Sequence, residues 1–350
     1  MFDRQNTDDW RDKYRDVPVV VLGASGFIGR WVARFLTSAG ADLYLPIRNC
    51  RLAKNIFDEF KIRGRCLKVD LHEASVLTSL IKEISPAIVF NLAGYGINRL
   101  EQEMESAYQI NAHLPKVLCD ALSESGREAW PGPRLVHVGS ALEYGKVGGD
   151  LKCSSITRPS TLYGKSKLAG TQAVVDAGRS RSFPGLTARL FTVYGPGERS
   201  ERLLPTLIAA SSSTDPVLLT KGDQERDFTY VEDAAEALLR LGISNAQPGE
   251  VLNVATSYLT SVRSFIEVAA ARLGIRSDRL SFGALETRAE EMDHSAVNID
   301  RFLHLTGWKT QMSLDQGVRR TVEFLSEKAS VPTSKYAVSM AGQSRDVCLE

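Results

Sequence analysis

Tyr163 and Lys167 lie four residues apart in Tyr163-Gly164-Lys165-Ser166-Lys167, which runs on into Leu168-Ala169-Gly170-Thr171-Gln172-Ala173-Val174-Val175. In a helix, residues four apart share one face, so the phenol and the ammonium project together. A neighbouring ammonium favours the phenolate and is expected to draw the tyrosine pKa from about 10 toward neutrality. A phenol so placed can give a proton to a carbonyl oxygen or take one from an alcohol. Alone, the same four-residue pattern fits a solvated tyrosine and lysine on a helix's first turn. The elements around it decide between the two.

Those elements alternate. Pro18-Val19-Val20-Val21-Leu22 is a continuous apolar run fit for a strand buried on both faces. Gly23-Ala24-Ser25-Gly26-Phe27-Ile28-Gly29 follows, then a helix through Trp31, Val32, Phe35 and Leu36 to Gly40, then a strand over 42–47. Further strands are expected at 65–69, 87–93, 134–139 and 186–191, with helices over 101–125 and 163–179. This rhythm implies an α/β fold with a doubly wound parallel sheet, which takes its ligands at the carboxyl ends of the strands. Beyond residue 192 the rhythm breaks, and helices are expected at 203–213, 231–242, 260–273 and 313–327. The expected division is a polar lead-in over 1–17, a nucleotide-binding domain over 18–192 and a smaller, mainly substrate-binding domain over 193–328. Some segments of that second part return to the first, and 329–350 is a polar, unpatterned tail expected to be disordered.

Composition narrows the classes of function. The chain has 350 residues, 43% of them hydrophobic and 24% charged, with a formal net charge of +1. That balance gives no electrostatic footprint for nucleic acid or an anionic membrane, so an anionic ligand must be held by local arginines. The five cysteines (Cys50, Cys66, Cys119, Cys153 and Cys348) are scattered, and neither they nor the histidines show metal-ligand spacing. No apolar run reaches the length of a membrane span, and Met1 to Asp16 lacks the apolar core of a secretory signal. A reduced, cytoplasmic protein without metal is expected.

Gly23, Gly26 and Gly29 stand three apart between a buried strand and a helix. Glycines there allow a tight turn, close approach of a phosphate and tight helix–strand packing, while the helix N-terminus offers N–H donors to a pyrophosphate. Ser25, Phe27 and Ile28 belong to the same turn. After the second strand stands Arg48, not the acid that would accept from a ribose 2′-OH. A guanidinium suits a 2′-phosphate, so NADP(H) is favoured, with NAD(H) possible. Asp70 and Leu71 are placed to meet the adenine edge, and Leu92, Ala93 and Gly94, after Asn91, to line the pyrophosphate or nicotinamide side.

With these residues in place the chain resembles the extended short-chain dehydrogenase/reductases over roughly residues 18–328. The resemblance rests on the glycine turn, Asn91-Leu92-Ala93-Gly94, Gly139-Ser140-Ala141-Leu142-Glu143-Tyr144-Gly145 and Tyr163-x-x-x-Lys167. It also includes Arg189, Val193-Tyr194-Gly195-Pro196 and Arg226-Asp227-Phe228-Thr229-Tyr230-Val231-Glu232-Asp233. It implies a Rossmann domain and a catalytic set of Ser140, Tyr163 and Lys167. In that set Ser140 binds the substrate oxygen, Tyr163 moves the proton, and Lys167 binds the nicotinamide ribose. It implies a nucleotide-sugar substrate, with Arg226 and Arg288 on its phosphates, Asn111 supporting a water network, and a homodimer formed through the helices at 101–125 and 163–179. Ala141 and Leu142 stand where the family's 4,6-dehydratases carry an acid and a base, which disfavours elimination. Glu143 resembles the Glu-Tyr-Gly of 4-ketoreductases and is read either as a substrate contact or as a loop anchor. The expected activity is NADPH-dependent reduction of a nucleotide-linked 4-keto deoxysugar. A nucleotide-sugar 4-epimerase is the alternative, followed by a non-catalytic NADP(H) sensor and a reductase of small ketones.

Overall fold

The computed structural model describes residues 10–96, 101–125, 130–146, 148–287 and 294–330, apart from the side chains of 328–330. β1 (Pro18–Leu22), α1 (Phe27–Ala39), β2 (Asp42–Ile47), α2 (Cys50–Glu59), β3 (Arg65–Lys68), α3 (Ala74–Ile84) and β4 (Ile88–Asn91) come first. Then follow α4 (Met104–Tyr108), a π-helical turn (Gln109–His113), α5 (Leu114–Glu124), β5 (Leu135–Ser140), α6 (Leu162–Arg181) and β6 (Gly185–Leu190). Val19 to Leu22 are fully buried because β1 lies between β2 and β4, with helices on both faces. α1 stops where Gly40 takes the left-handed conformation that an L side chain resists.

The second part is more broken. It holds β7 (Thr192–Tyr194), α7 (Leu203–Ser211), β8 (Val217–Leu219), β9 (Glu225–Tyr230), α8 (Val231–Leu241) and β10 (Glu250–Val254). β11 (Leu259–Ser261), α9 (Val262–Leu273), β12 (Leu280–Phe282), α10 (Asp300–Thr306) and α11 (Leu314–Ser330) complete it. The main sheet has seven strands in the order β10-β6-β5-β4-β1-β2-β3, and each neighbouring pair is parallel. This is the doubly wound α/β sheet expected from the alternation. Its seventh strand, β10, lies beyond the point where the sequence rhythm breaks and returns to pair with β6. Two small sheets, β11-β9-β7 and β12-β8, sit over a separate core that includes Tyr194, Tyr230 and Phe265.

Three local features depart from the sequence expectation. The helix expected over 101–125 contains a π-helical turn. Pro115 has no N–H to give the Asn111 carbonyl, and its ring crowds that oxygen, so the ladder loosens there. Gly170 of α6 packs against the freed carbonyl, and a Cβ at that glycine would lie 1.9 Å from the Asn111 oxygen. The helices α2 and α3 fill the connections of the first half. The lead-in is not wholly polar in behaviour: Trp10 and Tyr14 are buried in the core, and the Tyr14 hydroxyl donates to the Leu239 carbonyl at 2.6 Å. Trp10→Ala is therefore expected to cost about 3–5 kcal/mol, as for a core aromatic. Urea unfolding measures this, and a loss near zero would place Trp10 outside the cooperative core.

Candidate active site

The site is built at the carboxyl ends of β1, β4, β5 and β6. Gly23 has φ 76°, and a Cβ on it would lie 2.8 Å from the Leu92 carbonyl. A Cβ on Gly29 would lie 2.0 Å from the Gly23 oxygen, so α1 can approach the turn only with glycine there. Gly26 is the N-cap of α1, and the Phe27 and Ile28 N–H groups open the helix. Arg30, which sequence reasoning passed over, ties this turn: its Nη2 donates to the Ser25 carbonyl at 2.8 Å and its Nε to the Gly26 carbonyl at 3.0 Å. Leu92 and Ala93 therefore lie beside the glycine turn, and Gly94 sits near the Asn111 side chain. Arg48 is exposed at the end of β2, and its charge reaches Asp70 after β3. Asp70 itself is held below the usual carboxylate range, first by its hydrogen bonds with His72.

α6 is capped by Thr161, whose hydroxyl accepts from Gly164 N at 3.0 Å. This cap sets Tyr163 in the first turn and Lys167 one turn on. A Cβ on Gly164 would lie 2.4 Å from the Leu142 carbonyl, so α6 closes directly onto the turn that follows β5. Ser140 ends β5 and lies close enough to the Tyr163 phenol to favour its phenolate. Asn111 accepts from Tyr95 N at 3.0 Å and donates to the Tyr95 carbonyl at 2.7 Å and to Ser166 Oγ at 2.9 Å. These bonds fix the π-helical turn against α6 and the segment after β4.

The electrostatics correct one expectation. Burial, and then the charge of Glu143, pushes the Tyr163 phenol up to about 12, against the pull of Arg202, Ser140 and Arg199. Lys167 does not draw it down. The lysine is itself 2% exposed, and burial lowers it to about 8 despite the Glu143 carboxylate. Among the described residues no hydrogen bond or ion pair reaches the Lys167 ammonium. A buried cation without a protein partner and a glycine cradle that a Cβ would fill both fit a dinucleotide.

Glu143 is fully buried, Oε1 accepts from Ser140 N at 2.8 Å, and Oε2 pairs with Arg189 Nε at 2.8 Å, which is the geometry of a loop anchor. Both oxygens are thus engaged inside the protein. Arg189 lies over the Tyr144 ring at 4.5 Å, and Tyr144 donates to Asn253 Oδ1 at 2.6 Å. Ala141 and Leu142 occupy the same turn and offer no proton-moving group. Arg226 sits on β9 in the small sheet, opposite Thr260, and Arg288 lies outside the described residues.

The loop after β7 supplies residues that the sequence did not single out. Arg199 pairs with Glu101 at 3.4 Å, and Glu101 accepts from Gly96 N at 2.9 Å. Arg202 pairs with Glu198 at 3.4 Å. Burial raises Glu198 to about 7 against the pull of Arg202. The alternation of acid and base in Glu198-Arg199-Ser200-Glu201-Arg202 was the available signal. Among the described residues, no group of three or more His, Cys, Asp or Glu side chains could hold a metal ion, and no helix is long and apolar enough to cross a membrane.

The family model for the NAD dependent epimerase/dehydratase family matches residues 19–255. A dTDP-6-deoxy-L-talose 4-dehydrogenase (NAD(P)(+)) from Kitasatospora kifunensis is 29% identical over 313 residues, covering 86% of this chain and 93% of that protein. A probable dTDP-glucose 4,6-dehydratase from Sinorhizobium fredii is 26% identical over 334 residues, covering 88% and 93%. The fold superposes on a UDP-glucuronic acid 4-epimerase variant from Bacillus cereus, solved with a deoxyfluoro UDP-glucuronic acid and NAD. That match has a TM-score of 0.75 and 20% identity, and covers 89% of this chain and 99% of that one.

The anchor role of Glu143 has a measurable consequence. Glu143→Ala leaves the Arg189 guanidinium buried and unpaired and is expected to cost about 3–5 kcal/mol. Adding Arg189→Met should recover most of that loss in urea unfolding. A double variant no more stable than the single one would contradict the pairing.

Proposed function

The chain belongs to the NAD dependent epimerase/dehydratase family, and on that premise we propose that it reduces a nucleotide-linked 4-keto deoxysugar with NADPH. The observation that carries this reading is the turn Ala141-Leu142-Glu143. It has apolar side chains in the two positions where elimination needs an acid and a base, and a carboxylate already spent on Arg189. A relative that acts as a 4-dehydrogenase of a dTDP-deoxysugar supports the same reaction class.

When bound, the nicotinamide supplies the hydride. Everything else falls to side chains. Tyr163, with its phenol held protonated far above neutrality, is the proton donor to the carbonyl oxygen. Ser140, which favours the phenolate of Tyr163 from the end of β5, orients the same oxygen. The Lys167 ammonium holds the cofactor ribose beside the phenol. Arg199 and Arg202 favour the phenolate that forms when the proton leaves, so they stabilise charge that develops during the reaction. Arg226 is assigned to the substrate's phosphates and Arg48 to a 2′-phosphate. A homodimer through the α4–α5 stretch and α6 belongs to the same reading, supported by exposed Met104 and Tyr108 on α4.

Purified protein with NADPH and a panel of nucleotide-linked 4-keto-6-deoxysugars should consume cofactor in proportion to sugar. Tyr163→Phe should cut that rate by about 10²–10⁴-fold with the fold intact. Because Lys167 is charged only below about 8 while Tyr163 stays protonated to about 12, kcat/KM should fall through one ionisation above pH 8. Interconversion of two 4-epimers without net cofactor consumption would replace this reading with the epimerase. Arg48→Ala should weaken NADPH by about tenfold, the value of one charge-assisted hydrogen bond, and leave NADH unchanged. Equal effects on both cofactors would remove the assignment to the 2′-phosphate.

A further inference from the structure

Beneath Lys167, between α6 and the sheet, three buried polar atoms have no hydrogen-bond partner among the described residues: His137 Nε2, Thr187 Oγ1 and Thr171 Oγ1. The register sets them at one level. His137 of β5 is opposite Thr187 of β6, and residues paired across parallel strands project to the same face. On its other side His137 is opposite Asn91 of β4, whose Nδ2 lies 3.2 Å from His137 Nδ1. Asn91 Oδ1 accepts from Ala93 N at 3.3 Å, which leaves the amide nitrogen to donate to the imidazole. His137 Nδ1 is therefore an acceptor, and Nε2 carries the hydrogen.

The helix completes the layer. Val174 packs over Gly185, where a Cβ would lie 3.3 Å from Val174 Cγ1. Thr187 is two residues further along β6 on the same face. Thr171 is one turn back along α6, and Lys167 one turn beyond that. Thr171 thus stands over the His137–Thr187 pair, and Lys167 stands at the next level toward the carboxyl ends of the strands. A buried polar atom left unpaired loses the bond it would make to water, whereas one internal water satisfies two to four such atoms.

We propose that His137, Thr187 and Thr171 enclose an ordered internal water, and that through it His137 is a positioning residue for the Lys167 ammonium. The water accepts from His137 Nε2–H and donates to the two threonine oxygens. Its remaining lone pair accepts from Lys167. Among the described residues the titratable and charged groups near Lys167 are His137 from β5, Glu143 from the turn after β5 and Tyr163 one turn back on its own helix, with Arg189 of β6 bound behind Glu143. Burial and the Lys167 charge hold His137 neutral, as a donor to this water must be. Among those groups Glu143 alone favours the charged lysine, so the water is a second stabiliser of the ammonium. The importance of Lys167 rests on the function proposed above, but the water and the lysine titration are read on the free protein and need no substrate.

The test pairs a high-resolution crystal structure of the wild type with an NMR titration of ¹³Cε-labelled lysines. The wild type should show one ordered water within hydrogen-bond distance of all three atoms. The isosteric pair T171V and T187V should lower the Lys167 midpoint by roughly half a pH unit, as the loss of one hydrogen bond to the charged form requires. His137→Leu should do the same, and His137→Gln, which keeps a donor, should restore the wild-type midpoint. A dry layer in the wild-type crystal, or an unchanged Lys167 midpoint in the threonine pair, would overturn the proposal. Should the variants fail to fold, the wild-type crystal decides alone.

Discussion

The geometry of this site hangs on one buried ion pair, Glu143 with Arg189. The carboxylate is fully enclosed and joins three elements: it caps the end of β5 through Ser140 N, belongs to the turn against which Gly164 of α6 closes, and holds an arginine of β6. Arg189 in turn lies over Tyr144, whose hydroxyl reaches Asn253 on β10. Ser140, the start of α6 and the seventh strand are thereby referenced to one carboxylate. A pair this deeply desolvated contributes less to net stability than its contacts imply, because each ion gives up its hydration. Its role is positional.

The same carboxylate sets the local field. It raises the Tyr163 phenol and supports the Lys167 ammonium, while burial acts in the opposite sense on the lysine. The protein alone thus holds a neutral phenol and an ammonium poised near 8. The positive charges that favour the phenolate come from Arg199 and Arg202, on a loop that a pair with Glu101 and a pair with Glu198 hold in place. A protonated phenol beside waiting cations suits proton donation to an oxygen that gains charge.

Much of this was legible in the sequence. The apolar run 18–22, the glycines at 23, 26 and 29, and the alternation that follows define the parallel sheet, since buried strands and glycine turns leave local signatures. Tyr163 and Lys167 follow from helical spacing. What stayed hidden depends on distant partners. Glu143 has the same local appearance whether it faces a substrate or Arg189, 46 residues on. β10 lacks the rhythm of its neighbours because it returns from the second part of the chain. The pKa of Tyr163 follows burial, which spacing does not report, and Trp10 and Tyr14 sit among charged residues yet pack into the core. Arg288 stays a sequence expectation.

On the proposed reading Ala141 and Leu142 set a reductase apart from a dehydratase, whereas a 4-epimerase would use the same Ser140, Tyr163 and Lys167 and differ in where the hydride ends. The most direct measurement is therefore isotopic. NADPH deuterated at the transferable position of nicotinamide C4 would be incubated with a nucleotide-linked 4-keto-6-deoxysugar, and the product would be read by NMR. One deuterium at sugar C4 for each NADP⁺ formed is the result this account requires. A product without that label, formed from a 4-hydroxy sugar with no net change in cofactor, would contradict it.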